Sequence, residues 1–226
     1  MIENSILPYL NGASDTITFS GHSAGCQFSH TMQIIHSATI KGTGLMECGP
    51  YSMRNPDFHK PGASTKELET AAINTIEKYA NTGAIDPLEN LKDVAVYLVG
   101  GKEDPIVPML AVDAINDVYK HFGTDKIEFL KKHIDHNMRN SDPIAGLKYI
   151  YSQLGYYPSG FQPSSEDPYS IGELKTFDQK EFVPEGWSFD DSSFYDSGYY
   201  YLPDSCKTGK ACNVHFVFHW AGGRAW

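Results

Sequence analysis

The sequence is short of several things, and each shortage excludes a class. It has 18 Lys and Arg against 28 Asp and Glu, a formal net charge of −10. Nucleic acid is therefore a poor partner, because gripping phosphates needs a basic surface. No apolar run approaches the ~20 residues that span a bilayer, so no membrane span is expected. Met1-Ile2-Glu3-Asn4-Ser5 has no basic region, and Ile6 to Leu10 is too short for a signal-peptide core, so no leader is visible. Cysteines number four. Cys26 and Cys48 stand alone and read as small core residues. Cys206 and Cys212 flank a polar turn, where they are either a hairpin staple, implying an oxidising compartment, or two free thiols. No second Cys/His pair has the spacing of zinc ligands, so no metal is expected, and no motif calls for a cofactor.

What is present is globular. The 226 residues are 41% hydrophobic and 20% charged, enough for one sizeable core, and a single domain over 1–226 is the expectation. The order begins with Thr16-Ile17-Thr18-Phe19-Ser20, which alternates as a strand should. It enters Gly21-His22-Ser23-Ala24-Gly25 and then a helix whose apolar positions are Phe28, Met32 and Ile35. Strand, Gly-x-Ser-x-Gly, helix is the setting of a nucleophile elbow, where a strained turn lifts a serine clear of a sheet. The Ala24 N–H and the helix dipole would face a developing oxyanion.

Downstream, strand and helix patterns alternate. Leu45 to Cys48 reads as a strand, and Ser64 caps a helix carrying Leu68, Ala72, Ile76 and Tyr79. Val94 to Val99 is a continuous apolar run, the mark of a strand covered on both faces. A helix with Leu110, Ala114, Val118 and Phe122 follows, then a strand over Lys126 to Leu130, and a helix opened by Pro143. The pattern predicts an α/β fold with a mostly parallel sheet and helices on both faces. Residues 155–196 lose periodicity and read as an irregular surface excursion or linker. Tyr199 to Leu202 and Asn213 to His219 read as two strands, expected to form an antiparallel pair.

A serine nucleophile needs a base, and the base needs a carboxylate to orient it. In α/β-hydrolases the chain order is Ser, Asp or Glu, His. Asp104, just past the apolar strand, is the best acid, ahead of Glu103 and Asp135. His136, between the next strand and helix, is the best base, with His133 its rival. His121, His22, His30 and His36 are less well placed. His219 ends an apolar strand in the manner of an oxyanion loop, although such a strand normally precedes the nucleophile.

These residues together resemble a circularly permuted poly(3-hydroxybutyrate) depolymerase of the α/β-hydrolase superfamily. The resemblance runs through Thr18 to Gly25, the Gly49-Pro50-Tyr51 turn, the strand before Asp104 and Ala145 to Tyr151. It continues through Gly198 to Cys206 and Cys212 to His219. It implies hydrolysis of ester bonds in a short-chain polyester or its oligomers by Ser23, His136 and Asp104. Oxyanion donors would be the Ala24 N–H and one near Trp220 or Ala221. A Cys206–Cys212 disulfide and an extracellular location are further implications. His219-Trp220-Ala221 departs from the family's His-Gly-Cys, and the chain stops at Trp226, where such relatives continue. A C-terminally truncated domain is the expectation. Two other readings stay open: an esterase of other small or aromatic esters, and an inactive relative acting as a binding module.

Overall fold

The computed structural model describes residues 7, 10–137, 143–157, 171–188, 195–207 and 211–222. The chain divides into two compact units. The larger comprises Ser14–Phe161 and Asn213–Arg224; the smaller comprises Met1–Ala13, Gln162–Cys212 and Ala225–Trp226.

The larger unit is built on a sheet of β1 (Gly12–His22), β2 (Ile40–Met46), β3 (Ala95–Gly101), β4 (Lys126–Lys132) and β7 (Cys212–Phe218). Their order is β4-β3-β2-β1-β7, and the β1–β2, β2–β3 and β3–β4 pairs are all parallel. Parallel neighbours need crossovers, and helices supply them. These helices are α1 (Ala24–Ile35), α3 (Thr65–Asn81), α4 (Met109–His121) and α5 (Pro143–Gln153), with the short α2 (Asn55–His59) before α3.

The two faces of the sheet follow the period of two along β3. Val96 and Leu98 pack with Ile34 of α1, Leu68 and Ile76 of α3, and Ile115 and Val118 of α4. Ala95, Tyr97 and Val99 turn to the other face, against Ile150 of α5. Every residue of β3 is buried, as its unbroken apolar run predicts. Burying each such Val or Leu contributes roughly 1.5–3 kcal/mol. Ser64 caps α3 by accepting from the Glu67 N–H at 3.3 Å.

Helix α1 departs from its predicted face. The stripe Phe28–Met32–Ile35 is not the buried one: Phe28 is exposed, while Cys26, Ser29, His30, Gln33 and Ile34 are buried. The buried polar groups are tolerable because they bond one another. Tyr119 of α4 donates to Gln33 Oε1 at 2.5 Å, Thr43 of β2 donates to the same oxygen at 2.8 Å, and His30 Nδ1 lies 3.0 Å from the Tyr119 hydroxyl. A hydrophobicity pattern cannot see a face held by hydrogen bonds. Tyr79, expected on the inner face of α3, is likewise exposed.

The smaller unit corrects two further expectations. Residues 155–196 are not wholly irregular, since they contain β5 (Gly172–Asp178). This strand pairs antiparallel with β6 (Ser197–Pro203), so β6 and β7 do not pair with each other. Rings covering glycines explain the choice. A Cβ on Gly172 would overlap the Tyr201 ring, and one on Gly198 would overlap the Phe177 ring, so each aromatic lies over a bare backbone across the pair. On β7, Phe216 and Phe218 pack on Phe19 of β1 at 5.1 and 5.2 Å between ring centroids. His215 is held between Thr18 and Ser20 at 2.8 Å each. Burial pushes the His215 imidazole down to about 4, so it serves as a neutral tie.

All four cysteines are paired. Cys206 bonds Cys212 across the polar turn, and Cys26 bonds Cys48, which overturns the reading of that pair as isolated core residues. Both are buried in the main core, where the first turn of α1 meets the exit from β2. Alkylation of the native protein should therefore modify no cysteine until it is reduced, as read by mass spectrometry. Replacing both Cys26 and Cys48 by alanine should lower unfolding stability by about 3 kcal/mol in a urea titration.

Candidate active site

The site is assembled where β1, β2 and β3 end. Ser23 sits between the last residue of β1 and the first of α1 with φ 55° and ψ −116°, a conformation that L-residues avoid. Such a residue costs on the order of 1–3 kcal/mol, and the surroundings must enforce it. The Ser23 N–H donates to the Met46 carbonyl at 2.9 Å, pinning the turn to the end of β2. The flanking glycines are steric requirements. A Cβ on Gly21 would overlap the Gly25 backbone, and one on Gly25 would overlap the carbonyls of Phe218 and His219. Ala24 opens α1, so its N–H is among those without an intrahelical partner.

Asp104 and His136 come together. Asp104 follows β3 and is buried; its Oδ1 accepts from the backbone N–H groups of Ile106 and Val107 at 2.8 and 2.9 Å. Its Oδ2 accepts from His136 Nδ1 at 2.7 Å. Two backbone bonds latch the loops that carry them. The Lys102 N–H donates to the Lys132 carbonyl at 2.8 Å, and the Glu103 N–H to the Ile134 carbonyl at 3.1 Å. The histidine loop passes so close over Gly101 that a Cβ there would lie 2.6 Å from the Ile134 carbonyl oxygen.

The electrostatics follow. Burial alone would raise the Asp104 carboxyl, but the hydrogen bonds from His136, Val107 and Ile106 outweigh it and hold it below its ordinary value. The hydrogen bond to Asp104 lifts the His136 imidazole above its ordinary value against the opposing effect of burial, aided by the charges of Asp104, Glu47 and Asp135. With Nδ1–H committed to Asp104, Nε2 is the nitrogen that can take a proton from a hydroxyl. Among the described residues no hydrogen bond joins Ser23 to His136. The residue before the serine lies beside that histidine: the His22 and His136 rings are 4.8 Å apart, tilted by 37°.

The rival residues are elsewhere engaged. His133 and Glu103 form an exposed pair at 3.4 Å, and Asp135 is exposed. His121 faces Glu77 at 3.7 Å on the surface, and His36 is exposed. Burial pushes His30 down to about 3. Trp220 packs edge-on to His22 with centroids 6.1 Å apart, and its carbonyl accepts from His219 Nδ1 at 2.7 Å. Ala221 follows in an exposed turn.

Sequence reasoning passed over two residues. In sequence His22 is simply a neighbour of the elbow serine, and Glu47 is one position in a strand-like run. In the structure His22 Nε2 donates to Glu47 Oε2 at 2.7 Å, and that oxygen is 3.7 Å from His136 Nδ1. The β1–β2 register sets His22 opposite Met46, one residue before Glu47, and was the available signal. One polar atom from each of His22, Glu47 and His136 lies within 4.8 Å of the others, a cluster held by the His22–Glu47 and His136–Asp104 hydrogen bonds.

No protein-family model matches the chain. It is 27% identical to the poly(3-hydroxybutyrate) depolymerase of Delftia acidovorans, over 94% of this chain and 47% of that protein. The chain thus spans about half the length of the curated relative it matches. Among solved structures, the PHB depolymerase from Penicillium funiculosum aligns over 95% of this chain and 72% of its own, with TM-score 0.71 and 17% identity. A PHB depolymerase complexed with an R3HB trimer gives TM-score 0.70 and 18% identity over the same shares. The chain has the α/β-hydrolase-like fold that its sequence predicts.

The Asp104–His136 bond gives a titration test. Histidine NMR should place the His136 midpoint above the ordinary value of about 6.5, and Asp104→Asn should lower it. The raised imidazole contributes stability that is complete below the unfolded histidine pKa and lost as pH rises through the folded value. The depressed carboxyl contributes stability present above the unfolded carboxylate pKa and lost as pH falls through its folded value. Unfolding free energy from this pair should therefore peak between the two midpoints.

Proposed function

We propose that the chain is a serine esterase that cleaves ester bonds of poly(3-hydroxybutyrate) or related short-chain polyesters through an acyl-enzyme. The carrying observation is the 2.7 Å bond from His136 to a buried Asp104, at the strand ends beside an elbow serine in a strained turn. The likeness to polyester depolymerases in sequence and fold supports the substrate class. The adjacency of β7 to β1 supports an oxyanion strand supplied from late in the chain, hence the permuted order. Two disulfides favour an oxidising, extracellular setting.

In this reading Ser23 Oγ attacks the ester carbonyl carbon as its proton passes to His136 Nε2. Negative charge gathers on the carbonyl oxygen, opposite the Ala24 N–H and a backbone donor near Trp220 or Ala221. The C–O bond then breaks, and the leaving alkoxide takes the proton from His136. Water attacks the acyl carbon with His136 again accepting a proton; the acyl–Oγ bond then breaks, and His136 returns that proton to Ser23 Oγ as the acid leaves. Asp104 stays ionised throughout and stabilises the imidazolium.

A fluorophosphonate label should modify the wild-type chain and not Ser23→Ala; an unlabelled wild type sinks the reading. Clearing of a polyhydroxybutyrate suspension should accompany release from a short nitrophenyl ester, whereas release without clearing assigns the activity to other esters. Because the base must be neutral to act, kcat/KM should fall as pH drops through the raised His136 midpoint, giving an acid limb above about 6.5.

A further inference from the structure

Glu47 combines three unfavourable features at one residue. Its carboxylate is fully buried, its backbone has φ 60°, and its Oε1 has no hydrogen-bond partner among the described residues. A buried carboxylate is costly unless paired, and a left-handed non-glycine must be enforced by its neighbours. The enforcement is visible: the Glu47 N–H donates to the Val99 carbonyl at 3.0 Å, fixing the exit of β2 against β3. The conformation delivers Oε2 to the gap between two imidazoles, 2.7 Å from His22 Nε2 and 3.7 Å from His136 Nδ1. The second distance exceeds a hydrogen bond but lies well within range of an unscreened charge.

We infer that Glu47 is a second carboxylate for the base: a positioning residue, oriented by His22, that holds and stabilises the His136 imidazolium together with Asp104. The inference rests on the esterase reading and adds a group to it. When His136 takes the serine proton, the new positive charge faces Asp104 from the loop after β3 and Glu47 from the end of β2. Asp135 contributes from the histidine's own loop, and His22 stacks on the ring from the end of β1. His22 donates its Nε2–H to Glu47 and so keeps that oxygen turned towards the catalytic ring. Because Glu47 reaches the same nitrogen as Asp104, it is also the nearest replacement acceptor when Asp104 is lost.

Two measurements test this, one independent of activity. By histidine NMR, Glu47→Gln should lower the His136 midpoint by about one unit, equivalent to about a tenfold change in proton affinity. A carboxylate that only supported the fold would alter the melting temperature and leave the midpoint in place, overturning the inference. In kcat/KM, Glu47→Gln should cost about tenfold in the wild-type background and about a hundredfold in the Asp104→Asn background; equal factors in both overturn it. Should Glu47→Gln fail to fold, Glu47→Asp retains the charge but withdraws it, and an unshifted midpoint there overturns the inference equally. If the wild type takes no fluorophosphonate label, the esterase reading fails on its own, and the NMR arm still decides the Glu47–His136 coupling.

Discussion

A serine that must stand above a sheet while its backbone turns from strand to helix leaves little room for anything else nearby. The conformation at Ser23 is unfavourable in isolation and is maintained by what surrounds it. Gly21 and Gly25 let two stretches of backbone meet, the Ser23 N–H is anchored on Met46, and the end of β7 closes over Gly25. The strands on either side of β1 are therefore parts of the elbow as well as of the sheet. Any shift of β2 moves the anchor, and any shift of β7 opens the space that Gly25 keeps filled. Those same strands carry Glu47 and the segment leading to Trp220, so strain at one residue is coupled to the placing of groups far away in sequence.

Asp104 and His136 are held differently. Asp104 is fixed by two backbone N–H groups on one oxygen, and His136 by that carboxylate on one nitrogen. Both loops have irregular backbone, yet the two latches between them give them the mutual rigidity of adjacent strands. An exposed pair, His133 with Glu103, lies beside them, again a histidine and a carboxylate from the same two loops. Burial separates the two pairs: the side chains of His136 and Asp104 are 13% and 0% exposed, while those of His133 and Glu103 are 74% and 64% exposed, so the second pair is solvated and weak.

Much of the fold was legible in order because its signals are local. The Gly-x-Ser-x-Gly turn, the unbroken run of β3 and the Ser64 cap each act within a few residues, and each element formed where it was read. The pairing of Asp104 with His136 was legible from chain order, because parallel strands deliver their following loops to one edge of the sheet. Features that depend on two distant segments were not. The inward face of α1 is polar, so hydrophobic periodicity chose the wrong side. The partners of β6 and β7 were decided by rings lying over glycines and by His215 bonding to β1 hydroxyls, which no alternation pattern encodes. Glu47 and the Cys26–Cys48 bond share one cause, the β1–β2 register, and both become readable once His22 is set beside Met46.

That cross-link divides the site by the kind of force holding it. Cys26 lies three residues beyond Ser23 and Cys48 directly after Glu47, so the helix start and the exit of β2 are joined through sulfur atoms. Their separation is a covalent length, unaffected by acidity or ionic strength. On the opposite wall the bond between Asp104 and His136 is strong only while the carboxylate is charged. Acid therefore weakens the side-chain bond on one side of the cleft and leaves the sulfur bridge on the other untouched. On return to neutrality, that bond re-forms on a frame that never came apart.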